Sequence, residues 1–278
     1  GHYHGDQLSF HYCANGKPAT VDHHCSYRPR AGQEHMHNRV AFYTEKDRYL
    51  NMDGYERLIA FKASPQVDIA VGQVESDRLR PTAELPPEYW HVEWPMTQLG
   101  GTLVYRRTVV FVKGGPSDYF VMRDQFAAPR ELGAVLSLHV NDPDTLALWS
   151  QKPGEGGDTD GSTVFRDAAQ DFVKLGVQPG WFLHIGEVAT KHTGAHLHQE
   201  RYQVRGVEAH ALTLDRTAPA GYKQPYVLLK PRCRQEGQTV ALPGVTLFCA
   251  QPTQFGFAPF PWFHANGGPE ASQGVRLE

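Results

Sequence analysis

Polar and apolar residues alternate with a period of two along most of the chain, and this alternation constrains the fold more than any other feature. In LSFHYCA, for example, Leu8, Phe10 and Tyr12 lie on one face of an extended segment and the residues between them lie on the other. The same pattern occurs in RLIAFKA, TLVYRRTVVFVK, DYFVMRDQF, GAVLSLHV, DFVKLGV, GWFLHIG, YVLLKP and VTLFCA. Between these segments, 27 glycines and 20 prolines in 278 residues mark frequent turns. The sequence therefore predicts an all-β chain, a large antiparallel β-sandwich of many short strands.

No segment sustains a helical period over twelve residues, and no apolar run approaches the roughly 20 residues needed to cross a bilayer. Strand patterning resumes after the polar stretch QKPGEGGDTDGST, which indicates a loop and not a linker. We expect one β-sandwich domain over residues 1–265, with a smaller β subdomain in its last third as an alternative. Residues 266–278 are expected to form a loose tail.

One hairpin contains a buried-charge problem. In YRRTVVFVKGGPSDYFVMRDQF, a Gly-Gly-Pro-Ser turn joins two strands. Arg106 and Arg107 are adjacent in the first strand, so one of them must point inward. A buried arginine needs a carboxylate partner, and Asp124 in the second strand is the candidate.

Charge and cysteine content narrow the class of protein. The net charge is −3, from 27 basic and 30 acidic residues, which argues against a duplex nucleic-acid binder. The cysteines are Cys13, Cys25, Cys233 and Cys249, which allow either two disulfides in an oxidising compartment or four free thiols.

The first forty residues concentrate metal-ligating side chains. His2 and His4 are two residues apart and share a face of an extended segment, and Asp22 follows the strand KPATV. HMHN then presents His35 and His37 in the same way. Two imidazoles and a carboxylate from neighbouring strands suit a three-ligand zinc site. The alternative is that these are ordinary exposed or hydrogen-bonded strand histidines.

This front region resembles the C-terminal β-sandwich domain of heparinase II/III-type polysaccharide lyases. The segments that carry the resemblance are GHYHGDQLSFHYCANGKPATVD, then SYRP, then HMHNRVAF. They match a His-x-His-x-Asp-x-x-Ser-Phe segment, a Gly-x-Pro strand that ends in Asp, a nearby Tyr and a His-Asn pair. The Arg-Thr hairpin and LSLHV resemble the strands that follow in the family. The likeness is strong over about the first 45 residues, looser to about residue 140, and beyond residue 150 rests on strand content alone.

The resemblance implies a role for five residues. His4, Asp22 and His37 match the ligands of a structural zinc. His2 matches a histidine that faces the substrate cleft, and Tyr27 matches a tyrosine implicated in proton transfer.

The resemblance also implies an activity, the cleavage of a glycosidic bond beside a uronic acid by β-elimination. Such a reaction needs a base and an acid, for which Tyr or His is suitable, and a cation to hold the uronate carboxylate. Arg28, Arg30 and Arg39 flank the predicted site and are candidates for the latter, with surface charge as the alternative. Trp90 in PPEYWHVEWP is a candidate for stacking on a sugar ring, or else it packs at the end of the sandwich.

In the resembled family a helical (α/α) toroid precedes this sandwich and supplies further catalytic groups. No helical pattern here corresponds to it. We therefore expect a processed or excised part of a larger lyase, incomplete as an enzyme on its own. Its partners would be the toroid domain and an acidic polysaccharide, and its location the bacterial periplasm or the extracellular space.

Other functions remain open. A non-catalytic carbohydrate-binding sandwich is one. A cupin-like metal-dependent oxygenase is another, because HGD at residues 4–6 has the His-x-Asp spacing of a non-haem iron triad with His37 as third ligand. A second metal site at His196, His198, Glu200 and His210 is a further candidate, against ordinary strand-edge histidines.

Overall fold

The computed structural model describes residues 7–14, 16–21, 37–44, 50–52, 54–81, 96–115, 117–150, 156–185, 200–259, 261–264 and 270–278. Within these ranges the chain is all-β, as predicted, and its only helical element is a short 3₁₀ turn at Pro143–Thr145. No helix in this part of the chain is long and apolar enough to span a membrane.

Twenty-three strands are present in the described ranges. They are β1 (Cys13–Ala14), β2 (Lys17–Pro18), β3 (Val40–Tyr43), β4 (Leu50–Met52), β5 (Tyr55–Lys62), β6 (Val67–Pro81), β7 (Thr97–Val112), β8 (Tyr119–Ala127), β9 (Gly133–Asn141), β10 (Leu146–Ser150), β11 (Gly157–Thr159), β12 (Val164–Arg166), β13 (Phe182–Ile185), β14 (Glu200–Glu208), β15 (Ala211–Leu214), β16 (Gly221–Gln224), β17 (Tyr226–Leu229), β18 (Arg234–Glu236), β19 (Thr239–Leu242), β20 (Val245–Phe248), β21 (Phe257–Pro259), β22 (Trp262–His264) and β23 (Glu270–Leu277).

The chain divides into two compact units, where the sequence predicts one domain over residues 1–265. The first unit comprises residues 1–10, 32–137 and 278, and the second comprises residues 11–31 and 138–277. The division falls within β9. Both units are built from antiparallel sheets.

The first unit is one antiparallel sheet in the order β9–β3–β4–β6–β7–β8, with β5 beside β6. Its core lies where the short strands β3 and β4 meet the long strands β6 and β7, and it consists of Val40, Phe42, Leu50, Met52, Val74, Leu79, Leu99, Leu103 and Tyr105. The aromatic rings of Phe42, Tyr105 and Phe126 pack against one another there, with centroids 5.0–6.2 Å apart. By contrast, β5 is exposed over its whole length. The unit is therefore well packed at only one end of its long strands.

The predicted hairpin is present. β7 pairs with β8 in the register that sets Arg107 opposite Asp124 and Arg106 opposite Gln125. Arg107 is 3% exposed, whereas Arg106 points to the outer face of the sheet. The prediction that one arginine must turn inward is confirmed.

The second unit contains an eight-stranded sheet in the order β10–β17–β13–β14–β15–β12–β11–β16, together with the three-stranded sheet β18–β19–β20. Its core is apolar and aromatic. Phe165 packs on Phe172 and Tyr226 at its centre, with ring centroids 6.3 and 4.8 Å away. This unit is stabilised mainly by the burial of apolar surface.

Two of the predicted strands are wrong in whole or part. DFVKLGV, residues 171–177, forms consecutive turns, closed by bonds from the Leu175 amide to the Asp171 carbonyl and from the Val177 amide to the Phe172 carbonyl. Phe172 and Val177 are buried, whereas Val173 and Leu175, which a two-residue period places on the same face as Val177, are exposed. LSFHYCA is a strand only at Cys13–Ala14, and Leu8, with a φ of 56°, is not in the extended conformation.

The tail is also more ordered than expected. Residues 266–278 were predicted to be loose, whereas 270–277 form β23, which pairs with β21 and β22. Ala271, Gln273, Val275 and Leu277 are buried. These buried residues are two apart, as in a strand, although the composition of the tail is polar and rich in glycine.

Candidate functional site

Most of the predicted site residues lie outside the described part of the chain. These are His2, His4, Asp22, Tyr27, Arg28, Arg30 and Trp90. His37 and Arg39 are described, as are the segment that begins at Gln7, three residues after His4, and the segment that ends at Val21, directly before Asp22.

His37 is the one predicted zinc ligand within the described ranges. It is 2% exposed and lies three residues before β3. The Arg39 amide donates a hydrogen bond to the His37 carbonyl at 3.0 Å, which closes a tight turn. His37 is thus held by a turn at the entrance to a buried strand and not on a free loop.

The approach to Asp22 is also fixed. Thr20 bridges to Val140, and the Val21 amide donates to the His139 carbonyl at 3.0 Å. The Thr20 hydroxyl accepts a hydrogen bond from the Tyr12 amide at 2.7 Å. The residue immediately before Asp22 therefore has a defined backbone position in the second unit.

Arg39 does not lie where a substrate-binding arginine should. It is fully buried; its Nη1 donates to Gln7 Oε1 at 2.6 Å and its Nε to the Val40 carbonyl at 3.0 Å. A guanidinium with no exposed surface does not contact a polysaccharide in solution. The prediction of a substrate role for Arg39 is corrected to an internal one: it joins the segment after His4 to the start of β3.

Arg107 makes four hydrogen bonds within the first unit. Its Nε and Nη2 donate to Asp124 Oδ1 and Oδ2 at 2.7 and 2.9 Å, a bidentate ion pair. Its Nη1 donates to two backbone carbonyls, that of Leu8 at 2.7 Å and that of Asn38 at 3.1 Å. One buried side chain therefore contacts both segments of the predicted site that belong to this unit.

Aromatic rings line the same cluster. The Arg107 guanidinium carbon lies 5.6 Å from the centroid of Phe10 and 5.7 Å from that of Tyr105. The Tyr105 hydroxyl donates to Asp124 Oδ1 at 3.1 Å. Burial raises the pKa of Tyr105 far above its ordinary value, an effect that the charges of Arg107 and Arg39 oppose. Tyr105 therefore stays protonated at neutral pH and serves as a hydrogen-bond donor, not as a base.

Within the described ranges no three His, Cys, Asp or Glu side chains come together as a metal site. His4 and Asp22 fall outside those ranges, so the predicted triad is not tested. The fit of the donor set rests on its chemistry: two imidazoles and one carboxylate are ligands that zinc accepts. The buried position of His37 is consistent with a metal held inside the fold.

The second histidine group is only partly described. His196 and His198 lie outside the described ranges, and of Glu200 only the backbone, in β14, is described. His210 is exposed, and its Nδ1 lies 2.6 Å from the Gln170 carbonyl oxygen. That contact accounts for His210 without a metal.

The described cysteines, Cys13, Cys233 and Cys249, are all free thiols. Burial raises the pKa of Cys233 to about 12, so its thiolate is scarce at neutral pH. Cys25 lies outside the described ranges.

Sequence reasoning missed the partner of Arg39 and the packing of Leu8. The side chain of Gln7 reaches Arg39 across 32 residues, and no local pattern indicates that contact. A signal did exist for Leu8: Gly72 interrupts the apolar run VDIAVGQV, and a glycine inside a strand often marks a close approach of another segment. The Leu8 side chain lies over that glycine.

Comparison of the chain with models of known protein families and with curated proteins finds no match.

Proposed function

We propose that the chain is the β-sandwich part of a polysaccharide lyase that cleaves uronic-acid-containing polysaccharides by β-elimination. The observation that carries the proposal is the ordered set of motifs in the first 45 residues, His-x-His-x-Asp-x-x-Ser-Phe, Gly-x-Pro to Asp, Tyr and His-Asn. The buried arginine contacts support it, because they join two of these motif segments although the segments lie about thirty residues apart.

In this proposal His4, Asp22 and His37 hold a zinc ion that organises the surrounding loops. Three protein ligands of this kind suit zinc. A role in shaping the site fits the buried position of His37, since a buried ligand keeps the metal away from bulk solvent.

The reaction itself would fall to side chains. His2 and Tyr27 are the candidates for moving the proton at C5 and for protonating the leaving oxygen at C4. Arg28 and Arg30 are the candidates for binding the uronate carboxylate bidentately, which favours the charge that develops there. A tyrosine needs cationic neighbours to act as a base near neutral pH, and these arginines would also serve that purpose.

The class of substrate can be tested on the chain as it is. Uronic-acid oligosaccharides of the alginate and glycosaminoglycan type are titrated by calorimetry, beside the same oligosaccharides with their carboxylates reduced to alcohols. We expect binding of at least one uronate series and a loss of roughly tenfold or more in affinity on carboxylate reduction, because charge-assisted hydrogen bonds would be lost. Ultraviolet absorption of the unsaturated product reports any cleavage.

Single arginine variants show which side chains bind the uronate. Arg28→Gln and Arg30→Gln should weaken uronate binding, whereas Arg106→Gln, on the exposed outer face of β7, should leave it unchanged. Equal affinity for the charged and the reduced oligosaccharides, or no binding of either, would contradict the proposed substrate class.

A further inference from the structure

Leu8 follows the His-x-His-x-Asp motif by two residues and has an unusual backbone conformation. Its φ is 56°, in the left-handed region that few residues other than glycine adopt. Such strain persists only where the surroundings enforce it, and it often occurs at functional sites. The contacts of Leu8 identify what enforces it here.

Three groups hold Leu8. Its amide donates to Glu56 Oε1 at 3.0 Å. Its side chain lies over Gly72 so closely that a Cβ on that glycine would stand 2.5 Å from Leu8 Cδ2. Its carbonyl accepts from Arg107 Nη1 at 2.7 Å. Gly72 and Arg107 are register partners in β6 and β7, so two of the three contacts come from one cross-strand pair.

The nitrogen that binds Leu8 also binds the segment of His37. Arg107 Nη1 donates to the Asn38 carbonyl, directly after His37, at 3.1 Å. The two other donor nitrogens of the guanidinium are used by Asp124, which fixes the plane of the fork. A lysine cannot reproduce this arrangement, because it has no planar fork and binds as a single point charge.

We propose that Arg107 is the positioning residue of the site predicted around His4, Asp22 and His37, which we call the front site. It holds the segment that follows His4 and the segment that contains His37 at a fixed separation, and Gly72 supplies the space that lets Leu8 approach. The assignment of a zinc ion to these segments rests on the proposed function. The positioning of the backbone does not.

The backbone part is tested by amide hydrogen exchange on the full chain. In Arg107→Lys, peptides that cover residues 7–12 and 37–44 should exchange several-fold faster than in the wild type. Peptides from β14 and β15 in the second unit should be unchanged. Arg106→Lys is the matched control, since it alters the adjacent arginine on the opposite face of the same strand.

The metal part is tested by zinc affinity, measured by competition with a chromophoric chelator. Arg107→Lys should lose about tenfold or more, the usual consequence of disturbing groups that orient metal ligands. Gly72→Val, whose branched side chain a movement of the Leu8 Cδ2 methyl alone cannot accommodate, should also weaken zinc binding, and it decides the question if Arg107→Lys does not fold. Leu99→Ala, which removes core packing elsewhere in the same unit, controls for general destabilisation and should leave zinc affinity unchanged.

Each result has a definite meaning. Unchanged exchange in both segments of a folded Arg107→Lys variant overturns the proposal. Faster exchange with unchanged zinc affinity reduces Arg107 to a structural residue and also overturns its role in the site. If the wild type binds no zinc, the proposed metal site fails, and the exchange result still decides whether Arg107 holds the two segments together.

Discussion

Two arginine–carboxylate clusters, one in each unit, stabilise the protein in different ways. Arg107 is 3% exposed and its partner Asp124 is 17% exposed. Arg232 in the second unit is 34% exposed; its Nη1 contacts Asp142 Oδ1 at 2.7 Å and Asp144 Oδ2 at 2.8 Å. The first guanidinium is inside the fold and the second is at its surface.

The partners of the two arginines differ as well. Arg107 Nη1 donates to carbonyls of two distant segments, whereas the Arg232 side chain, within the described residues, donates to the carboxylate just before the 3₁₀ turn and to one inside it. Asp142 is itself only 6% exposed, so the two clusters differ in the exposure of the guanidinium and not of the carboxylate. Water can hydrate the partly exposed Arg232 when a partner is removed, whereas a buried charge such as that of Arg107 is costly without its partner. The arrangement of segments in the first unit therefore depends on the buried pair of Arg107 and Asp124.

Removal of Asp124 should give the largest effect. Asp124→Ala leaves the Arg107 guanidinium buried without its counter-charge, so the free energy of unfolding should fall by about 3–5 kcal/mol. Urea denaturation measures it. Arg106→Lys, on the exposed face beside it, keeps a charged donor for Gln73 Oε1 and should change stability by less than about 1 kcal/mol. A loss of under about 1 kcal/mol for Asp124→Ala would remove the distinction between the two clusters.

Removal of Arg232 from the second cluster should lower the free energy of unfolding by less. Arg232→Ala should cost about 1–2 kcal/mol, because Asp142 loses a charged partner but keeps the hydrogen bond from the Thr145 hydroxyl at 2.8 Å. The same denaturation series, repeated at high salt, should show a smaller loss, since part of the interaction is screened. A loss as large as that of Asp124→Ala would mean that exposure does not decide the strength of these pairs.

Lowering the pH should destabilise the second unit through His184, a buried and neutral imidazole. Burial, and secondarily the charge of Arg201, places the pKa of His184 well below its ordinary 6.5. Below that pH the unfolded chain takes up a proton that the folded chain does not, so stability falls as pH falls, by up to about 1.4 kcal/mol per pH unit. Between about pH 7.5 and pH 5.5, urea denaturation should show the wild type losing about 1 kcal/mol more than His184→Gln. Equal losses in the two proteins would contradict burial of a neutral imidazole.

Much of the first unit could be predicted from sequence, because its strands and its hairpin follow from patterns between residues that are close in the chain. The two-residue period alone indicates that Arg106 and Arg107 face opposite ways, and the position of the Gly-Gly-Pro-Ser turn brings Asp124 near the inward one. The strands β5, β7, β8 and β9 were found by the same alternation.

The failures have physical causes. In residues 171–177 the apolar residues Val173, Leu175 and Val177 alternate as in a strand, but the segment forms turns that bury Val177 and leave the other two exposed, so periodicity alone gave the wrong structure. The strained conformation of Leu8 is imposed by Gly72 and Arg107, which lie more than sixty residues away. Likewise, the buried Arg39 binds Gln7, 32 residues away, in addition to the carbonyl of its neighbour Val40. Contacts between distant segments decide the site, and a single sequence does not encode them in any local pattern.

The most direct test of the account is the zinc content of the purified chain, measured beside His37→Ala. His210→Ala serves as the matched control, because His210 is exposed and is accounted for by its contact with the Gln170 carbonyl. We predict about one zinc per chain in the wild type and in His210→Ala, and loss of that zinc in His37→Ala. No zinc in the wild type, or equal zinc in all three proteins, would contradict the proposed front site.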